Sequence, residues 1–99
     1  RMLSMHEPLK IRITAQFKKD LKTARKQKKP MDRLDRIVSV LQSRGELAPR
    51  YKDHSLTGSW DGYRECHIQP DWLLIYRIEN DILVLTLSRT GTHSELLDK

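Results

Sequence analysis

The chain has 99 residues, enough for one domain with one modest core, and it contains no apolar run of about 18 residues that would span a bilayer. Its net charge of +6 is unevenly spread: residues 1–52 hold 15 Lys and Arg against 5 Asp and Glu, and residues 53–99 hold 4 against 8. The basic half suits a polyanion, nucleic acid above all, or a partner with an acidic segment, although a solvated cationic helix face accounts for the same charge.

Cys66 is the only cysteine, so no intrachain disulfide can form and a reducing cytoplasm fits best. Next to His67 it invites reading as a nucleophile beside a base. Adjacent strand residues point to opposite faces, however, and a buried, inert thiol is the better expectation.

Residues 1–9 are mixed polar, lack the apolar stretch of a secretory signal, and are set aside as a leader or appended segment, ordered or not. Residues 10–99 form a single domain. Leu9 to Thr14 alternates apolar with polar and predicts a half-buried strand. From Ala15 to Lys29 the period becomes helical: Phe17, Leu21 and Ala24 make a thin apolar stripe flanked by Lys18, Lys19, Lys22, Arg25 and Lys26. Pro30 stops this helix and opens the next, in which Met31, Leu34, Ile37, Val38 and Leu41 recur at helical spacing up to a cap near Gly45. The two helices read as an antiparallel hairpin.

Glu46 to Gly62 lacks periodicity and reads as a long loop, with Tyr51 and Trp60 folding it back on the body. Three strands follow: Tyr63 to Gln69, the doubly apolar Trp72 to Ile78, and, after a tight turn at Glu79-Asn80-Asp81, Ile82 to Leu87. Gly91 breaks the chain, and His93 to Leu97 fits one last helical turn. The order β-α-α-β-β-β indicates an α+β domain in which a helical hairpin packs on a small, largely antiparallel sheet.

Reactive side chains concentrate in the second half. His54, His67 and His93 show no paired metal-ligand spacing, so a three-histidine zinc site is a weak reading, and no cofactor motif is present. No GxSxG elbow or Gly-rich phosphate loop supports hydrolysis through an activated serine. Metal-free RNA cleavage fits better, because the ribose 2′-OH is a built-in nucleophile. The protein then supplies a base, an acid and a cation for the phosphate: histidine suits the proton transfers and arginine the phosphate. Arg89 and His93, flanking Gly91, are the strongest candidates. His67 reads equally as a hydrogen-bonded structural histidine. Asp71 after Pro70 reads first as a turn residue, and Trp60 and Trp72 as core before base platforms.

Three stretches carry a resemblance: Tyr51-Lys52-Asp53-His54 through Gly58-Ser59-Trp60 to Arg64, His67-Ile68-Gln69-Pro70-Asp71-Trp72 to Tyr76, and Arg89-Thr90-Gly91-Thr92-His93 to Leu96. Together they resemble the YafQ-type toxins of the RelE/ParE toxin–antitoxin superfamily, over about Lys10 to Leu97. The resemblance implies a RelE-like fold and a cytoplasmic, ribosome-dependent endoribonuclease that cuts messenger RNA in the decoding site without a cofactor. By motif it implies a site of His54, His67, Asp71, Trp72, Arg89 and His93, with His93 as first choice for acid, Asp71 or His67 for base, and Arg89 on the phosphate. Trp72 would line the cleft. Lys18, Lys19, Lys22, Arg25 and Lys26 would grip ribosomal RNA. The implied partner is a DinJ-like ribbon-helix-helix antitoxin, through which alone operator DNA is bound; no membrane is involved. One departure is Leu97, where the family commonly has phenylalanine. The competing readings are a non-catalytic ParE-like toxin bound to DNA gyrase, which has no need of the histidines, and a plain RNA-binding module.

Overall fold

The computed structural model describes residues 7–97. Its elements are β1 (Lys10–Ile13), α1 (Ala15–Lys26), α2 (Met31–Gln42), β2 (His54–Ser55), β3 (Arg64–Gln69), β4 (Trp72–Glu79), β5 (Val84–Gly91) and α3 (His93–Leu96), with short 3₁₀ turns at Pro49–Tyr51 and Gly58–Trp60. The strands form one sheet in the order β1-β5-β4-β3-β2. β1 runs parallel to β5, and every other pairing is antiparallel.

β4 is central and apolar on both faces, as its composition predicts. On one side, Phe17 and Ala24 of α1 and Leu34, Ile37 and Leu41 of α2 pack on Cys66, Ile68, Trp72, Leu74, Tyr76, Leu85 and Leu87. On the other, Leu73 and Ile75 lie under Leu96, with Leu56, Trp60, Tyr63 and Leu97 packed around them. The two helices and the long loop therefore cover opposite faces of the same strand. Full burial of each of these large apolar side chains is worth about 1.5–3 kcal/mol.

Thr14 begins α1 by two hydrogen bonds. Its Oγ1 accepts from Phe17 N–H at 3.0 Å, capping the first turn, and donates to the Ser88 carbonyl at 2.8 Å, tying the helix to β5. Pro30 caps α2 from outside the helix rather than standing in its first turn. Arg44, not Gly45, takes the left-handed conformation that ends α2 (φ 67°), and the Gly45 N–H then closes on the Val40 carbonyl at 2.9 Å. Gly45 serves close packing instead, since a Cβ there would meet Val40 Cγ1 at 3.2 Å.

Four other expectations need correction. Leu9, set aside with the leading residues, is core, and its N–H donates to the Gln42 carbonyl; residues 1–6 lie outside the described part. β1 is not half-buried, because it sits at the sheet margin and leaves Ile11 and Ile13 exposed. The Glu46–Gly62 loop contains a fifth strand, β2, held only by its pairing to β3. β5 starts and ends later than its apolar run, extending through Arg89 to Gly91 because Ser88 and Thr90 are buried; Thr90 Oγ1 donates to the Leu73 carbonyl at 2.6 Å.

Candidate active site

Alternation along β3 places Cys66 and Ile68 in the helix-side core and leaves Glu65 and His67 for the other face. The register of β2 sets His54 opposite Glu65, and His54 Nε2 lies 3.2 Å from Glu65 Oε1. His67 Nε2 approaches the same oxygen at 3.9 Å. The rings of His67 and His93 meet edge to face with centroids 5.9 Å apart. Two histidines thus flank one buried carboxylate, and the third packs on the ring of His67. The second carboxylate oxygen, Oε2, has no hydrogen-bond partner among the described residues.

The second nitrogen of two of these rings is also occupied. His54 Nδ1 is 2.7 Å from the Lys52 carbonyl, and His67 Nδ1 is 3.3 Å from the Pro70 carbonyl. A carbonyl only accepts, so each Nδ1 carries a proton, and Nε2 is the atom turned toward the shared carboxyl group. His93 is exposed at the start of α3.

His54 is fixed through its neighbour. Asp53 Oδ1 accepts from Tyr76 O–H at 2.6 Å, and Arg64 donates to both Asp53 oxygens and, at 2.8 Å, to Ser55 Oγ. Burial and the Asp53 hydrogen bond push the Tyr76 hydroxyl well above its ordinary pKa. His93 is fixed by a capping box in which Thr92 Oγ1 accepts from Glu95 N–H and Glu95 Oε1 accepts from Thr92 N–H. Gly91 permits this turn to sit against β5, because a Cβ there would lie 2.7 Å from Glu95 Oε1 and 3.1 Å from Leu96 Cδ2.

Arg89 is held differently. Its Nε and Nη2 donate to the two oxygens of Asp20 on α1, at 2.8 and 3.1 Å, and the Thr90 N–H adds a third bond to that carboxylate at 3.0 Å. The Asp20 hydrogen bonds outweigh burial and raise the guanidinium above its ordinary pKa. The fork is a permanent cation of fixed direction, with its remaining N–H groups available to an anion.

The structure therefore unites His54, His67 and His93, and fixes Arg89 on the strand that leads to His93. Asp71 is an exposed residue of the β3–β4 turn, next to the Pro70 carbonyl that holds His67. Trp72 requires correction: it is fully buried and offers no face on which a base can stack. It lines a cavity behind Arg89 instead, and its indole N–H has no partner. Lys18, Lys19, Lys22, Arg25 and Lys26 are all exposed on α1.

Two residues of the site, Asp20 and Glu65, are missing from the sequence-based set. Each leaves a trace in sequence: Asp20 is the only acid between Ala15 and Lys29 and falls within the apolar row of Phe17, Leu21 and Ala24, and Glu65 alternates with His67. Burial pushes the Cys66 thiol up to about 12, with the Asp53 and Glu65 charges adding to the effect, which removes it as a nucleophile. Among the described residues, no group of three or more His, Cys, Asp or Glu is arranged to hold a metal ion. None of the described helices is long and apolar enough to cross a membrane.

Residues 9–98 match the family described as the bacterial toxin of a type II toxin–antitoxin system, YafQ. The mRNA interferase toxin YafQ of Escherichia coli K12 is 42% identical over 87 residues, covering 87% of this chain and 92% of that protein. In its crystal structure with DinJ, E. coli YafQ superposes with a TM-score of 0.83 at 41% identity, over 91% of this chain and 98% of the other. A metal-bound toxin from Helicobacter pylori superposes with a TM-score of 0.85 at 43% identity, over 90% and 99%.

Proposed function

The chain belongs to the YafQ family of bacterial type II toxins, and we propose that it is an mRNA interferase that cuts messenger RNA in the decoding site of the ribosome. The observation that carries this reading is the clustering of three imidazoles: His54 and His67 flank Glu65, and His93 packs on His67. A gyrase-binding toxin would leave that arrangement without a task.

In the proposed reaction His67 is the base. Its Nδ1–H is committed to the Pro70 carbonyl, so Nε2 is free to take the 2′-OH proton. The 2′-oxygen attacks the adjacent phosphorus and forms a 2′,3′-cyclic phosphate. The P–O5′ bond breaks, and the departing 5′-oxygen takes a proton from His93, the exposed imidazole next to His67. Arg89, aimed by Asp20, meets the charge that builds on the non-bridging oxygens. His54 flanks the site from β2, Asp71 assists from the turn beside His67, and the α1 cations Lys18, Lys19, Lys22, Arg25 and Lys26 dock on ribosomal RNA phosphates.

The protein would act in the cytoplasm, where translating ribosomes are, and be silenced by a DinJ-like ribbon-helix-helix antitoxin that carries the complex to operator DNA. Mapping message 5′ ends after induction tests the reaction. Cuts within codons are expected with the unaltered protein and are lost in His93→Ala, a fall of about 10²–10⁴-fold for a removed acid–base group. Cuts that persist in His93→Ala, or an unaltered protein that makes none on ribosomes, overturn the assignment.

A further inference from the structure

A groove of about 510 Å³ opens beside the histidine cluster. It lies between α2 and the 3₁₀ turn Pro49–Tyr51, and its floor is the Ile68–Pro70 end of β3. Arg33 and Arg36, one turn apart on α2, line one side; Arg50 and Lys52 line the other. No carboxylate contributes to the lining. All four cations are exposed, and the single ion pair among them, Arg36 with Asp32 at 3.5 Å, is a wet i,i+4 contact that ties up little charge. Arg50 also lies over the Tyr51 ring, 4.7 Å from its centroid, and donates to the Tyr51 hydroxyl at 2.9 Å. That contact anchors the guanidinium at the groove, and a guanidinium plane is a surface on which an unpaired base stacks.

His67 lines this groove with one edge and faces Glu65 and His93 with the other. This groove therefore offers an RNA strand whose scissile phosphate sits at His67 a direct route lined by cations and no carboxylate. We infer that this groove is a substrate-strand subsite, in which Arg33, Arg36 and Lys52 contact phosphates flanking the cleaved one and Arg50 supports a flanking base. The inference rests on the proposed RNA cleavage and extends it from the reacting phosphate to the neighbouring nucleotides. It also places message recognition on α2 and the loop, apart from the lysine-rich α1 proposed to dock on ribosomal RNA. An acidic peptide shares the charge preference but gains nothing from continuity with His67.

The triple variant Arg33→Ala/Arg36→Ala/Arg50→Ala alters exposed side chains only and leaves the Lys52 turn intact. In cleavage on programmed ribosomes it is expected to raise KM about tenfold with kcat within about twofold, and to flatten the slope of log KM against log salt by roughly 0.7 per lost phosphate contact. A second measurement separates message from ribosomal RNA. The His93→Ala protein should bind ribosomes with a filled A-site codon about tenfold more tightly than ribosomes whose message ends ahead of that codon, and the three substitutions should erase the difference. Equal weakening on both ribosomes, or an unchanged KM, overturns the subsite while leaving cleavage itself established. Unchanged cleavage together with loss of poly-glutamate binding overturns it in favour of a peptide site. If the unaltered protein makes no cuts, the cleavage reading is the one that fails.

Discussion

Arg89 has two nitrogens committed to a buried carboxylate at 2.8 and 3.1 Å, whereas Glu65 Oε1 stands 3.2 and 3.9 Å from His54 and His67, and His93 is exposed. The difference follows the work proposed for each end. A phosphate clamp acts by direction and charge, and both are best set before the substrate arrives. Proton transfer needs each imidazole to alternate between two partners, and a ring locked at short distance to a carboxylate would do that less readily. The proposed clamp joins the buried strand β5 to Asp20, one of the few buried residues of α1, whereas two of the three histidines are carried by a two-residue strand and a four-residue helix.

Substitution should expose the contrast in graded form. Asp20→Ala removes the partner of Arg89 and an acceptor of Thr90 N–H, and should lower stability by about 3 kcal/mol in chemical denaturation. Misdirecting the fork should also cost about 10²-fold in cleavage on ribosomes. Gly91→Ala comes next: the added Cβ meets Glu95 Oε1 and Leu96, so the first turn of α3 must shift, at about 1–3 kcal/mol by thermal melting and with slower cleavage through displaced His93.

Glu65→Gln strikes the looser end and should act on function more than on stability. Cleavage is expected to fall by about tenfold, a fraction of the 10²–10⁴ carried by a whole acid–base group. Stability should hold or rise, because the substitution relieves a buried carboxylate with one unpartnered oxygen. A loss as large as that of Asp20→Ala would erase the distinction between the two ends. The smallest effect belongs to Cys66, whose thiol is pushed up to about 12 by burial. Thiol reagents at about pH 8 should leave the folded protein unlabelled and active, and label it fully only after denaturation. Rapid labelling of the native state would show that β3, which carries Glu65 and His67, opens.

How much of this was legible in the chain depends on the range of the forces involved. The helices follow from a periodicity visible within a few turns, and β4 from a run apolar on both faces. β2 is two residues long and exists only through its pairing with β3, so its own sequence carries no strand signal. Ile11 and Ile13 alternate as a half-buried strand should, and only the position of β1 at the sheet margin leaves them exposed. Trp72 shows why motif membership is not a role: it belongs to the same stretch as His67, yet alternation and register turn it into the core.

The amino-acid sequence by itself determined the α+β class, the uneven charge, and the presence of His54, His67, Arg89 and His93 in stretches resembling one toxin family. Which of these meet, and what holds them, was decided only in three dimensions. Asp20 and Arg89 are 69 positions apart, and no local pattern couples them; α1 packing on β5 does. Glu65 reads as one more polar strand residue until the registers of β2 and β3 bring two histidines to its oxygen. The residue types that do chemistry are chosen one by one along the chain, but hydrogen bonds between distant elements set their direction, and direction is what makes them a site.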